Sequence, residues 1–232
     1  MSSHWAESAL SWWEEAGVDT IVGEQPRDWL AAPAPVAPRV AESAPAPAPA
    51  ATFPDDLPAF QAWLAGTDAI PFASPTARRA APAGDQASGL MLVTDLPDAS
   101  GELFGGEVGA LFDRMLAAIG RSRDTIYLAP FSPIRPPSGR IDKAGVDLLA
   151  RAMRHHVGLV APKALLIFGD SCSRALLDTT MAQARGRWHE VETPRGQVRA
   201  LVTLRPQELL AQPKLKSHAW ADLQLLMEEL KS

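Results

Sequence analysis

Apolar residues recur along this chain in two rhythms. Leu57, Phe60 and Leu64 stand at helical spacing, and Gly66 is placed to stop that helix. Residues 67–89 carry no period and read as loop. Beyond them short apolar runs alternate with helical stripes. Strands are predicted over 90–93, 125–128 and 164–168, with helices over 107–119, 141–157 and 173–183 after them. Gly120 ends the first of these helices, and Val146, Leu149 and Met153 share one face of the second. Strands over 188–191 and 198–204, a helical turn over 207–210 and a closing helix over 217–230 complete the pattern. The alternation predicts an α/β domain of three layers, with helices on both faces of a mainly parallel central sheet. Ligands of such sheets meet the loops after the strands. Those loops are Thr94-Asp95-Leu96-Pro97, Ala129-Pro130-Phe131, Gly169-Asp170-Ser171 and Arg205-Pro206.

The N-terminal part follows another pattern. Residues 1–30 hold Trp5, Trp12, Trp13 and Trp29, four of the seven tryptophans, so apolar surface is concentrated in a short segment. Ser8 is placed to cap a helix that Gly17 ends, with Trp5, Ala9, Trp12 and Ala16 in one stripe. The spacer over 31–52 is almost wholly alanine and proline, which buries no core and favours an extended chain. A tryptophan stripe on such a tether either docks back on the domain over 53–232 or grips a protein partner. On the second reading Trp5, Trp12, Trp13 and Trp29 are the partner-binding residues.

Charge and cysteine usage narrow the chemistry. Residues 1–89 carry 4 basic and 11 acidic side chains, whereas residues 90–232 carry 18 and 16, so only the second part offers a basic rim. No apolar run is long enough to span a bilayer, and Met1-Ser2-Ser3-His4-Trp5 lacks a basic region before an apolar one. The expected location is the cytoplasm, with no membrane contact. Cys172 is the single cysteine and reads as a small buried residue, so no cysteine-based metal site and no cofactor are expected. The adjacent His155 and His156 lack a carboxylate at ligand spacing and read as surface or helix-end residues, while His189, beside Trp188, reads as packing.

Several stretches, taken in order, resemble the family 4 uracil-DNA glycosylases. They are Asp113-Arg114-Met115-Leu116-Ala117-Ala118-Ile119-Gly120, Arg135-Pro136-Pro137-Ser138-Gly139-Arg140, Val160-Ala161-Pro162-Lys163, Arg185-Gly186-Arg187-Trp188-His189 and Arg205-Pro206-Gln207-Glu208-Leu209-Leu210. The resemblance implies a site that flips uracil out of the duplex, stacks it on a ring, reads its edge and steadies the departing anion. At the matching positions this chain differs. The family's Gly-Glu-Ala-Pro-Gly loop corresponds to Thr94-Asp95-Leu96-Pro97-Asp98, so a carboxylate remains at Asp95 but both glycines are replaced. The uracil-reading asparagine corresponds to Pro130, which has neither side-chain amide nor backbone N–H. Arg205 replaces the histidine that steadies the leaving group. The stacking phenylalanine has no clean counterpart, Phe104 being the nearest substitute, and Ile134 stands where an iron–sulfur cysteine is expected. These replacements imply a non-catalytic relative, with Asp95, Pro130 and Arg205 as degenerate equivalents of site residues.

Two binding roles are expected of such a relative. Arg135, Arg140, Arg185, Arg187 and Arg205 come from loops that the fold gathers on one rim, either an ordinary solvated rim or a track for weak DNA binding. Leu92-Val93-Thr94-Asp95-Leu96-Pro97 and Trp13-Glu14-Glu15-Ala16-Gly17-Val18-Asp19 also look similar to the psi subunits of bacterial DNA polymerase III. That likeness implies a replication or repair accessory whose N-terminal helix binds the clamp loader. An active or altered glycosylase is the competing reading.

Overall fold

A computed structural model describes residues 52–231. The expected tryptophan helix of residues 1–30, the spacer after it and the partner-binding residues Trp5, Trp12, Trp13 and Trp29 lie outside the described residues. Helix α1 (Leu57–Gly66) starts where Asp56 accepts the N–H of Ala59 at 2.9 Å, with proline in its first turn where no donor is missed. It packs Phe60 and Leu64 on Ala152 of helix α3 (Lys143–Val160). The buried His156 on α3 shares a hydrogen bond of 2.8 Å with the Tyr127 hydroxyl, which also accepts from Gln61 Nε2 of α1. His156 is therefore a core residue, not the surface or helix-end histidine that its neighbour suggested.

The sheet has six strands: β1 (Ala83–Gly84), β2 (Leu90–Thr94), β3 (Tyr127–Pro130), β4 (Ala164–Phe168), β5 (Trp188–Thr193) and β6 (Gly196–Thr203). Their spatial order is β1-β3-β2-β4-β6-β5, with the four inner strands parallel and the two edge strands antiparallel. Strands β2 and β4 are buried at every position because helices cover both faces, and so they read as unbroken apolar runs. Leu90, Leu92, Leu166 and Phe168 face helix α2 (Gly106–Ala118) and the C-terminal helices α6 (Pro206–Ala211) and α7 (Lys216–Lys231). Met91, Val93, Leu165 and Ile167 face α3 and α4 (Asp170–Leu177). This is the expected three-layer α/β architecture.

Local differences have local causes. The helix expected over 173–183 is two helices, because Asp178 adopts a left-handed conformation and Thr180 caps a new turn, α5 (Met181–Ala184). Strand β3 begins two residues later than expected. Thr125 is held in a short 3-10 turn by its hydrogen bonds with Ser122. The two-residue β1 lies within the predicted loop, and Gly84 there allows close approach to the Ile126 carbonyl. Among the described residues no helix is long and apolar enough to cross a membrane.

Candidate active site

The chain leaves β2 toward α2 on one face and leaves β4 toward α4 on the other. The edge between these strands is thus the switch point of the sheet, where open parallel sheets bind ligands. Asp95 follows β2 there and is only 6% exposed. Its Oδ1 accepts the backbone N–H of Cys172 at 3.0 Å, in the first turn of α4, where the helix dipole favours negative charge. Its Oδ2 accepts from Arg205 Nη1 at 3.1 Å. Burial still pushes the Asp95 carboxyl above the ordinary carboxylate range, against the lowering effects of Cys172 and Arg205.

Arg205 is aimed rather than loose. Glu208, three residues on, accepts the Arg205 backbone N–H at 2.9 Å through Oε2 and the guanidinium Nη2 at 3.0 Å through Oε1. The first turn of α6 and the guanidinium are thereby fixed together. Gly169 has no room for a side chain, since a Cβ would lie 2.6 Å from Asp95 Oδ2 and 2.8 Å from Arg205 Cδ. Its φ of +93° is also one that glycine adopts readily. Glu208 and Gly169 were not singled out from the sequence. An acid at the third position of a helix that opens on Arg205-Pro206, and a glycine between strand and helix, are the available signals.

Asp95 lines a hollow of about 350 Å³ with Leu96, Phe131, Ile141, Val146 and Arg140. Phe131 supplies the aromatic wall. The expected substitute, Phe104, is instead buried against Phe112, with ring centroids 4.3 Å apart. After Pro130 the next two backbone donors are already used. Phe131 N–H donates to Thr94 O at 2.7 Å and Ser132 N–H to Asp95 O at 3.1 Å. This end of β3 therefore offers the hollow shape and apolar surface, not an edge-reading amide.

The arginines predicted for DNA occupy unlike settings. Trp188 of β5 pairs with Leu201 of β6, so Arg185 and Arg187 stand at the same end of the sheet as Arg205. Arg187 is exposed, and Arg140 is exposed at the hollow. Arg135 donates to the Pro97 carbonyl at 3.2 Å. Arg185 instead reaches the buried Asp222 at 2.8 Å, and Thr203 donates to the same carboxylate at 2.9 Å. Removing one partner of a buried pair strands the other, so Arg185→Ala is expected to cost about 3 kcal/mol. Urea denaturation checks this; a loss below about 1 kcal/mol would return Arg185 to the free rim.

The iron–sulfur cluster implied by the family resemblance does not fit these residues. A cubane cluster takes four thiolates, and this chain has one cysteine. Cys172 is fully buried, its thiol pushed well above the ordinary range first by burial and then by Asp95. Ile134, at an expected ligand position, is part of the apolar core. Among the described residues no group of three or more His, Cys, Asp or Glu is placed to hold a metal ion.

The family model of the uracil DNA glycosylase superfamily matches residues 81–224. A type-4 uracil-DNA glycosylase of Archaeoglobus fulgidus is 26% identical over 161 residues, spanning 62% of this chain and 78% of that protein. This overturns the expectation of a non-catalytic chain, because the relative is an enzyme and replacements seen across so wide a divergence do not establish loss of catalysis. A carboxylate and a cation are paired at the switch point of the sheet, and the match runs through nearly every element that positions them. The chain belongs to the uracil DNA glycosylase superfamily.

Proposed function

We propose that this chain is a DNA glycosylase with an altered site, hydrolysing the bond between deoxyribose C1′ and a damaged base, uracil first among the candidates. The observation that carries the reading is the Asp95 carboxylate lining the hollow beyond β2, with the Arg205 guanidinium bonded to its Oδ2. In this reaction the C1′–N bond breaks with its electron pair leaving on the base, so positive charge develops at the sugar and negative charge on the base. A base flipped into the hollow stacks on Phe131, as glycosylase chemistry requires the base out of the duplex. The Asp95 carboxylate stabilises the sugar cation and takes the proton of the water that adds to C1′. The Arg205 guanidinium stabilises the departing base anion, which the family histidine does by resemblance. Arginine stays charged across the working pH range and presents a fork of donors. Donors already held where charge develops are among the larger contributions to catalysis.

The test is base release from single- and double-stranded oligonucleotides carrying one uracil, read as strand scission at the abasic product in alkali. Product above a heat-inactivated control is expected, and absent from Asp95→Ala. No release by well-folded wild-type protein, or equal release by Asp95→Ala, would overturn the proposal.

A further inference from the structure

A second hollow, of about 440 Å³, is lined by the next residues of the loop that begins at Asp95, Pro97 and Asp98 among them, with Phe72, Arg78 and Arg135. Phe72 is 45% exposed, one of two large apolar side chains left so among the described residues. Its φ is +63°, a left-handed conformation that a bulky residue adopts only under strain. Of the four non-glycine residues with positive φ among the described ones, Phe72 alone combines that strain with an exposed ring. Strain of this kind is retained where surroundings or function impose it. Here it holds an aromatic face in solvent beside two cations.

Those cations are free to act. Arg78 donates through Nη1 to the Ser100 carbonyl at 3.2 Å, and Arg135 through Nη1 to that of Pro97 at 3.2 Å. Neither has a carboxylate partner among the described residues, whereas Arg185 and Arg205 do. Each therefore keeps most of its fork for a phosphate. The one carboxylate on this wall, Asp98, is engaged within its own loop, where Oδ1 accepts from the Ser100 hydroxyl and from the N–H groups of Ser100 and Glu102. An exposed ring lining one hollow with two guanidiniums that have no carboxylate partner among the described residues matches single-stranded nucleic acid, whose bases stack on aromatics while its phosphates meet arginine.

We propose that Phe72, Arg78 and Arg135 form a platform for a nucleotide flanking the base held at Asp95, with the neighbouring base stacked on Phe72 and phosphates on the two arginines. The proposal rests on DNA being the substrate, but binding and base release separate the two. The probe is a labelled single-stranded oligonucleotide without a damaged base, titrated by fluorescence anisotropy over a range of salt. Phe72→Gly removes the ring and also the left-handed strain, so its thermal midpoint should hold or rise while affinity falls about tenfold with an unchanged salt slope. Phe72→Trp should keep affinity. Arg78→Ala/Arg135→Ala should lower the salt slope by about 1.4, the counterions of two phosphates on a single strand.

Unmoved affinity in Phe72→Gly, or an unmoved slope in the double variant, overturns the platform. So does dimerisation of the wild type that is lost in Phe72→Gly with DNA binding unchanged, which would assign the ring to a second copy of the chain. If the wild type shows this binding pattern yet releases no base, the platform stands and the glycosylase reading falls. If release persists while Phe72→Gly binds normally, the platform alone falls.

Discussion

Arg205→Ala is expected to lower the rate of base release by about a hundredfold or more, the loss found when one donor to a developing anion is removed. Asp95→Asn should lose at least as much, since it removes the charge opposite the sugar cation. The pH profile gives a finer test. In the proposed reaction Asp95 acts as the carboxylate, so release should rise with pH through the Asp95 pKa, which burial has moved above the ordinary range, and then stay level. Arg205 adds no alkaline fall because it does not deprotonate. Arg205 also helps to hold the Asp95 pKa down, so Arg205→Ala should shift the acid limb of the residual activity to higher pH. A limb that stays in place would mean that the pair does not act as a unit. Glu208→Gln separates charge from position, keeping Arg205 cationic while weakening its hold, and should fall between wild type and Arg205→Ala. Gly169→Ala should resemble the severe variants, because its Cβ would occupy space held by both Asp95 and Arg205.

Much of the fold was legible because parallel strands covered on both faces leave an unmistakable trace. The strand over 164–168 coincides with β4, a run of five buried apolar residues. Legibility failed where one polar side chain set the boundary. Thr125 is β-branched and joins apolar neighbours, yet its hydroxyl closes a turn with Ser122, and β3 starts later. The site was half legible. Asp95 and Arg205 came from a family resemblance, but the bond between them joins positions 110 residues apart and no spacing announces it. Pro130 and Arg205, counted with the other replacements, read as loss of the site, although a guanidinium at 205 can still stabilise negative charge. Together with Asp95 and Glu208, Arg205 forms a charged site of different composition. His156 was readable and was missed, for it continues the stripe of Leu149 and Met153 toward the sheet.

That histidine carries the largest expected effect of pH on stability. His156 is buried, and burial, with a smaller contribution from the charge of His155, moves its pKa down from 6.5 to about 3. Its Nε2 pairs with the Tyr127 hydroxyl, which also accepts from Gln61, so a neutral ring can accept the Tyr127 proton, whereas a protonated ring would have to turn that hydroxyl's proton elsewhere. The aromatic rings of Phe60 and Tyr127 pack around it, and no carboxylate among the described residues is bonded to it. A base whose folded pKa lies below its unfolded value binds its proton more tightly when unfolded. Stability is therefore full above about 6.5 and is lost as pH falls toward 3, by up to about 1.4 kcal/mol per pH unit. Between pH 7 and pH 4.5 the loss should be about 2.5 kcal/mol, a large part of the stability of an ordinary domain. Asp95 and Asp222 act in the opposite sense, because burial raises their pKa and protonation relieves them, so the wild-type curve alone understates His156. The measurement is urea denaturation of wild type and His156→Gln at both pH values. His156→Gln is expected to be weaker at pH 7, having lost the fitted ring, but to lose much less on acidification. Parallel losses in the two proteins, or an NMR titration of His156 near 6.5, would show that the ring takes its proton without leaving the core.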